Sequence, residues 1–416
     1  MKFMSKTLPV VVSAAVALTS VPAFAAQSDT GIEINGQSVT FTDVTPYEAD
    51  GTLYLPYAAM METEGYQAVQ TEEGIVATKG DEKIVFQIGG STVEITKDGQ
   101  TYSIPMAPSV LTDDRTFVTV TSAEDIFGMA GTVENGKVSF ETPTYEIMDK
   151  LNAFSAEYNT NMKAEGTLNV DVNYPDVLDL STKSDITSVT TDTITAFEML
   201  TKSEYGGDDE ATKELLKQLE NIKYIVDLDT NKLYFFFGAT DGEAAWYVMD
   251  LGEVFDMLGM DVDALKGLMD PGSMDFSSYM QKFITSMFHS DPEAAYAVEK
   301  TMRDFYCDQR FHQSSKGYQA DYSVDEDGVS VDMSISIQTD GQDHATGYSM
   351  AMTSEMDGQV LFSMNITLNQ DMNMKLSGSF LGASIMADIQ YSKLESTPEI
   401  KLPENAQPFS FSDLVE

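Results

Sequence analysis

The sequence predicts an α+β protein in two parts: a small duplicated α/β domain over residues 31–142, then a long twisted antiparallel sheet with helices over residues 145–406. Three observations predict it. The first part repeats itself at an offset of 63 to 64 residues, the second contains runs of alternating apolar and polar residues, and a block of helical periodicity separates its early runs from its late ones.

Of the 416 residues, 42% are hydrophobic, which is enough apolar material for two ordinary cores. The 24 Lys+Arg against 67 Asp+Glu leave a net charge of −43, so no basic field exists to hold a phosphate backbone, and nucleic acid is not an expected partner. At the start, Lys2 and Lys6 precede an apolar run from Leu8 to Val21, and Ala23-Phe24-Ala25 supplies a small-x-small cleavage pattern. Residues 1–25 therefore read as a secretory signal, because the run is short and Ala/Ser/Thr-rich for a span of about 20 residues. No later segment is long and apolar enough to span. The expected product is secreted or held at the cell surface, without a transmembrane segment once the signal is cleaved. Cys307 is the only cysteine, so no internal disulfide is available.

In the first domain, Ile34-Asn35-Gly36-Gln37 recurs as Lys97-Asp98-Gly99-Gln100. The turn Asp50-Gly51-Thr52, followed by Leu53-Tyr54-Leu55-Pro56 and a helix from Tyr57 to Glu64, recurs as Asp114-Arg115-Thr116, Phe117-Val118-Thr119-Val120 and Thr121 to Phe127. Each half then carries a glycine turn and a short strand, giving the order strand, strand, helix, strand. These residues resemble the copper amine oxidase N-terminal-like domain, or stalk domain, over Ile32 to Glu141. The second half departs from the family at Thr119-Val120-Thr121. The resemblance implies a spacer or docking module for an envelope protein or polymer and no copper chemistry. Residues 31–142 contain no histidine, so a copper site of the imidazole type has no ligands there.

Thr142-Pro143-Thr144 reads as a linker. Beyond it, Met162, Ala164, Leu168, Val170 and Val172 alternate with Lys163, Glu165, Asn169 and Asp171, the pattern of a half-buried strand. Six further runs follow late in the chain, beginning at Tyr318, Val329, Tyr348, Val360, Met372 and Ile385. They are divided by hairpin signals such as Asp327-Gly328, Asp340-Gly341 and Asp357-Gly358. Together with shorter strands at Ile222–Leu228, Lys232–Phe237 and Ala245–Met249 they make a meander of about 10 to 11 strands. Helices are predicted over Asp208–Ile222, Leu251–Leu258, Asp261–Met269, Asp275–Phe288 and Glu293–Tyr306, the last with Asp291-Pro292 as its N-terminal cap. They are the available cover for the apolar sheet face.

This order resembles the bacterial lipoprotein-carrier fold, a curved sheet around helices and an apolar cleft, over Tyr145 to Ala406, with 407–416 as a tail. The resemblance rests on Asn231-Lys232-Leu233-Tyr234-Phe235 leading to Ala245-Trp246-Tyr247-Val248-Met249-Asp250, on the late meander, and on Ile400-Lys401-Leu402-Pro403-Glu404-Asn405-Ala406. It implies a fold and an apolar or amphiphilic, lipid-like ligand as partner, without naming which.

Methionine is concentrated here, with 19 of the 25 between Met148 and Met386. Flexible thioethers reshape around varied apolar ligands, so Met333, Met350, Met352, Phe362, Met364, Met372 and Met374 are the candidate cleft residues; the alternative is that they are plain core. Asp227-x-Asp229-x-Asn231 opens like a calcium loop, but Lys232 stands where glycine is required, so it reads as a hairpin turn. Cys307 near His312 reads either as a nucleophile pair or as a thiol at a helix end. His289, His312 and His344 are scattered, and no hydrolase or phosphate-loop motif is present. The chain is thus expected to be a non-enzyme with no catalytic residues, metal site or cofactor. The rival expectation is a structural or protein-interaction component of the cell surface whose sheet is filled by its own side chains.

Overall fold

The structure, a computed structural model, describes residues 26–27, 31–71, 74–97, 99–134, 136–156, 161–174, 178–238, 245–253, 276–326, 328–356 and 358–410. The expected signal at 1–25 lies outside the described residues, as does most of the two helices expected over 251–258 and 261–269. The chain divides into two compact units, Met1–Thr144 with Met287–Gln309, and Tyr145–Ser286 with Arg310–Glu416.

The first unit holds three small sheets. One is ordered β1 (Ala26–Gln27), β4 (Tyr47–Ala49), β5 (Thr52–Pro56), β12 (Arg115–Thr119), β11 (Val110–Thr112). A meander runs β6 (Gln67–Thr71), β7 (Gly74–Lys79), β8 (Glu82–Phe86), β9 (Thr92–Lys97), β10 (Gln100–Pro105). The third is ordered β13 (Ala130–Glu134), β14 (Lys137–Glu141), β2 (Gly31–Ile34), β3 (Gln37–Ser38). The repeat is visible in the pairing of its two halves, since β5 and β12 run antiparallel with Leu55 opposite Val118. Both β4–β5 and β11–β12 turn through two residues of positive φ, Asp50-Gly51 and Asp113-Asp114, which matches the twist of a two-residue hairpin. Each central strand feeds a short helix, α1 (Tyr57–Thr63) or α2 (Val120–Phe127). The departure at Thr119 has a local use: its hydroxyl accepts from the Ser122 amide and caps α2, which Pro56 cannot do for α1. Leu55, Tyr57, Met60, Met61, Val93, Val118 and Phe140 form the closed core.

One expectation changes here. The helix α6 (Pro292–Phe305), predicted as cover for the large sheet, belongs to the first unit. Asp291 and Pro292 start it as the sequence predicts, with the Asp291 carboxylate accepting from the Ala294 amide at 3.0 Å. Its inward face carries Tyr296, Lys300 and Arg303, and Arg303 is 2% exposed. The guanidinium donates to the Asp125 carboxylate, to the Glu124 carbonyl at 2.8 Å and to Asp304 at 3.0 Å, while Lys300 reaches Asp125 at 2.7 Å. Burial opposes the charge on Arg303, but Asp304 and Asp125 outweigh it and hold its pKa above the ordinary value. Ala295, Tyr296 and Met302 are buried beside the ionic cluster, so the apolar positions alone do not tell which unit this helix joins, and the Arg303 and Lys300 pairs with Asp125 do.

Removing Arg303 leaves buried carboxylates with one cation fewer, so Arg303→Ala is expected to destabilise the first unit by about 3 kcal/mol, measured by denaturant unfolding. Burial pushes Asp304 toward its neutral form, yet Arg303 and Lys300 hold it below the ordinary 3.8. Its contribution is complete above about pH 4 and is lost as pH falls through the depressed folded value. Protection of the α6 amides, taken relative to the intrinsic exchange rate at each pH, is therefore expected to fall on acidification below about pH 4, and Asp304→Asn is expected to blunt that response.

The second unit is built on one sheet. Its first half is β15 (Met162–Tyr174), β16 (Leu178–Thr190), β17 (Ile194–Tyr205), β18 (Asn221–Asp227), β19 (Lys232–Gly238) and β20 (Trp246–Asp250), with α3 (Glu146–Ala156) ahead of it and α4 (Glu210–Gln218) before β18. After α5 (Phe276–Ser290) come β21 (His312–Ser314), β22 (Gly317–Glu326), β23 (Val329–Thr339), β24 (Ala345–Met356), β25 (Gln359–Leu368), β26 (Asn373–Phe380), β27 (Ala383–Lys393) and β28 (Gln407–Pro408). The spatial order is β21 through β27, then β15 through β20, then β28, a large curved sheet of 14 strands. The two meanders join where β15 pairs antiparallel with β27, from Met162 opposite Lys393 to Val172 opposite Ala383.

The sheet exceeds the expected 10 to 11 strands for a chemical reason. β16 and β17 present Thr182, Ser184, Ser188, Thr201 and Ser203 where an apolar alternation would show, and β21 and β28 are too short to carry a period. The helix expected over 208–222 is only α4, since Ile222 already sits in β18 opposite Met199 and Phe237.

At the seam, a Cβ on Gly166 would stand 2.2 Å from the Asp388 carbonyl oxygen. Gly166→Ala is expected to cost about 1–3 kcal/mol by forcing β15 from β27, read as a lower denaturant midpoint. Gly341→Ala is the matched control, because a Cβ there meets nothing within 4 Å.

Candidate ligand-binding face

Side chains alternate along each strand, and residues directly opposite one another share a face, so register alone sorts this sheet into two surfaces. One row runs Tyr322, Met333, Met352, Met364, Gly378, Ile385, Val170, Thr182, Ser203. The next holds Ile335, Met350, Ile366, Leu376, Ala387, Leu168, Ser184 and Thr201. A third carries Ile337, Tyr348, Leu368, Met374, Ile389 and Gly166, and a fourth carries Val331, Phe362, Phe380, Ala383 and Val172. None of these positions is charged.

Six of the seven predicted cleft residues thus lie on one face: Met333, Met352 and Met364 side by side in one row, Met350 and Met374 in the flanking rows, Phe362 in the outer one. All six are half-buried. Met372 is elsewhere. It sits in the β25–β26 turn at φ 57, buried, with its carbonyl accepting from the Tyr391 amide at 2.9 Å, so Met372 and Met374 are not a strand pair. Cover is uneven across the face. Ile335 and Ile337 are fully buried where α3 packs against neighbouring β24, whereas Phe380 is 52% and Ile385 37% exposed.

Charge is kept on the opposite surface, which carries Asp332, Lys375, Asp388, Glu165, Lys183 and Lys202 among serines and threonines. Two hollows lie on that polar side. One of about 380 Å³ is lined by Thr167, Asn169, Lys375, Asp388 and the exposed Met386, and one of about 300 Å³ by Asp321, Asp332, Ser334 and Ala351. On the uncharged face even the phenols stay neutral. Burial raises the pKa of Tyr391, whose hydroxyl donates to the Met374 Sδ at 3.8 Å, and of Tyr224, which stacks on Phe197 with centroids 4.6 Å apart. A ladder of rings continues to Phe235 and Tyr247, and Phe409 packs edge-on against both.

Sequence reasoning missed a second feature of this face. Thr182 pairs with Ser203 and Ser184 with Thr201, so four hydroxyls make a compact block on two adjacent strands. Ser184 Oγ and Thr201 Oγ1 are 2.8 Å apart, and the Thr182 hydroxyl donates to the Val170 carbonyl at 3.3 Å. The signal was present as Thr-x-Ser and Thr-x-Ser at period two, but nothing before the register was known said that the two pairs meet.

The other candidates resolve into local structure. Asp227 is buried and accepts from the Asp229 amide at 3.0 Å and the Thr230 hydroxyl at 2.6 Å, forming the β18–β19 turn. Asp340 accepts from the amides of Gln342 and His344, and Asp343 is held below the usual carboxylate range by Lys150 and Tyr318. Cys307 is fully buried with its thiol on the Arg303 carbonyl at 2.9 Å; His312 is exposed on β21, and the His289 side chain lies outside the described residues. Within the first unit, a cavity of about 120 Å³ is lined by Tyr66, Lys79, Tyr102, Tyr296 and Lys300, with the Tyr66 hydroxyl donating to Glu82 at 2.5 Å. Among the described residues no three His, Cys, Asp or Glu side chains converge as a metal site, and no helix is long and apolar enough to cross a membrane.

The sequence profile of the copper amine oxidase N-terminal domain matches residues 33–141. With neither histidine nor cysteine in that segment, the metal in the family's name finds no such donors there. No curated protein matches the chain. Among solved structures, a β-barrel-like protein of domain of unknown function DUF1849 from Brucella abortus is similar at 10% identity, covering 57% of this chain and 99% of its own, with a TM-score of 0.22. A DUF1329 family protein from Desulfovibrio piger is similar at 9% identity over 60% of this chain and 93% of its own, TM-score 0.20. A lipovitellin structure on lipid–protein interactions is similar at 9% identity over 61% of this chain and 28% of its own, TM-score 0.16. TM-scores this low do not establish a shared fold.

Proposed function

We propose that this is an exported, non-enzymatic envelope or extracellular protein whose second unit binds an apolar or amphiphilic, lipid-like ligand on the uncharged sheet face, and whose first unit spaces or docks it. The observation that carries the reading is the row of Met333, Met352 and Met364, half-buried on a face whose four described rows hold no charge. A surface intended for water would be expected to mix charges into those positions, as the other face does. Thioethers add adaptability, because an unbranched, polarisable side chain fits acyl chains of different shape. Partly exposed apolar area that gains about 25 cal/mol per Å² on being covered is a standing drive for ligand capture.

Organic extraction of gently purified protein, followed by mass spectrometry, is expected to release a stoichiometric amphiphile. Met352→Lys, which puts a charge at the centre of the row, is expected to empty the protein while leaving its melting temperature within a few degrees, since the position is half-buried. An empty extract from wild-type protein, repeated after incubation with envelope lipids, overturns the reading in favour of a structural component that fills the face with its own side chains.

A further inference from the structure

The hydroxyl block and the methionine row occupy the same face and sit some way apart on it, as the two ends of an amphiphile do. Resting on the lipid-site reading above, we propose that the ligand is an amphiphile with an uncharged, oxygen-rich head, of the acylglycerol or glycolipid class, whose head is hydrogen-bonded by Thr182, Thr201 and Ser203, with Ser184 holding Thr201 in place, and whose tail lies along Met364, Met352 and Met333.

Distance supports the assignment. Thr182 lies on β16 and Met333 on β23, six strands away in the sheet order β23-β24-β25-β26-β27-β15-β16. At about 4.8 Å per strand this is on the order of 29 Å, the reach of a head group with one long acyl chain. Between Thr182 and Met364 that row holds Val170, Ile385 and Gly378, which interpose no charge and continue the apolar surface.

Chemistry supports it as well. Ser184 is 3% exposed and shares one hydrogen bond with Thr201, so it braces Thr201 from beneath, while the half-buried Thr182, Thr201 and Ser203 hydroxyls keep lone pairs to accept from a ligand hydroxyl. Such a block matches glycerol or sugar hydroxyls and ester carbonyls. It offers a phosphate or carboxylate no charge to balance its own, since the four rows contain no Lys, Arg or His. Lys183 and Lys202, the cations nearest in sequence, alternate onto the opposite face. The −43 net charge of the chain adds long-range repulsion against an anionic head.

The test uses the delipidated full chain and three probes sharing an eighteen-carbon tail: 1-monooleoylglycerol, 1-oleoyl-lysophosphatidylglycerol and octadecene. Affinities are read by equilibrium partition from a dilute detergent-free dispersion, for wild-type protein and for the near-isosteric double variant Thr182→Val with Ser203→Ala. Wild type is expected to prefer monooleoylglycerol over the anionic lipid by about tenfold or more. The variant is expected to lose about fivefold for monooleoylglycerol while binding octadecene as before, the signature of a lost head contact rather than a damaged fold. Equal binding of neutral and anionic lipids, or an unchanged affinity of the variant for monooleoylglycerol, overturns the head-group assignment and leaves the lipid site standing. Failure of wild type to bind any probe, octadecene included, overturns both.

Discussion

The second unit depends on one antiparallel pairing, β15 against β27. Their partners are about 210 to 230 residues apart in sequence, so closing this contact carries the largest chain-entropy cost in the sheet, while every other long strand pair is either a hairpin or joined by a shorter connection. Until it forms there are two separate meanders, each with an unpaired edge. Once it forms, the apolar positions of both align into common rows, because a one-residue slip at this seam would send one meander's apolar set to the polar side. Gly166 marks how closely the strands approach there.

Segregation of charge is the second constraint. A chain with 67 acidic residues must put them somewhere, and the described strands of the sheet unit carry Asp332, Asp388 and Glu165 on the face opposite the methionine row. The first unit does the opposite at one point, sinking Arg303, Lys300, Asp125 and Asp304 into a paired cluster under α6. Each charge there is tolerable because an opposite one is within hydrogen-bond reach. The two solutions follow from size: a broad sheet has an entire surface to spare for water, whereas a helix docking on a small domain must bury whatever its inward face carries.

How far the candidate site could be read in advance varied residue by residue. Met333, Met350, Met352, Phe362, Met364 and Met374 stood out because strict alternation between Asp-Gly turns specifies a face without knowledge of the partner strand. Met372 misled because a turn residue two positions before Met374 mimics the strand period; only the backbone at φ 57 places it in the turn. The hydroxyl block was invisible for the opposite reason. Ser and Thr at period two look like a solvated strand, and their concentration into one patch exists only when β16 and β17 are in register.

By itself the sequence determined what is local or compositional: the duplicated first domain, its hairpin turns and helices, the alternating strands of the late meander, the acidic balance, and the apolar character of one set of positions. Those follow from backbone conformational preference and from side-chain alternation over a few residues. Tertiary structure alone decided which meander edge meets which, that α6 serves the first unit rather than the large sheet, and that methionines and hydroxyls far apart in sequence share one surface. Such contacts depend on the free energy of joining distant segments, and an ionic helix face or a serine-rich strand acquires its meaning only from the partner it meets.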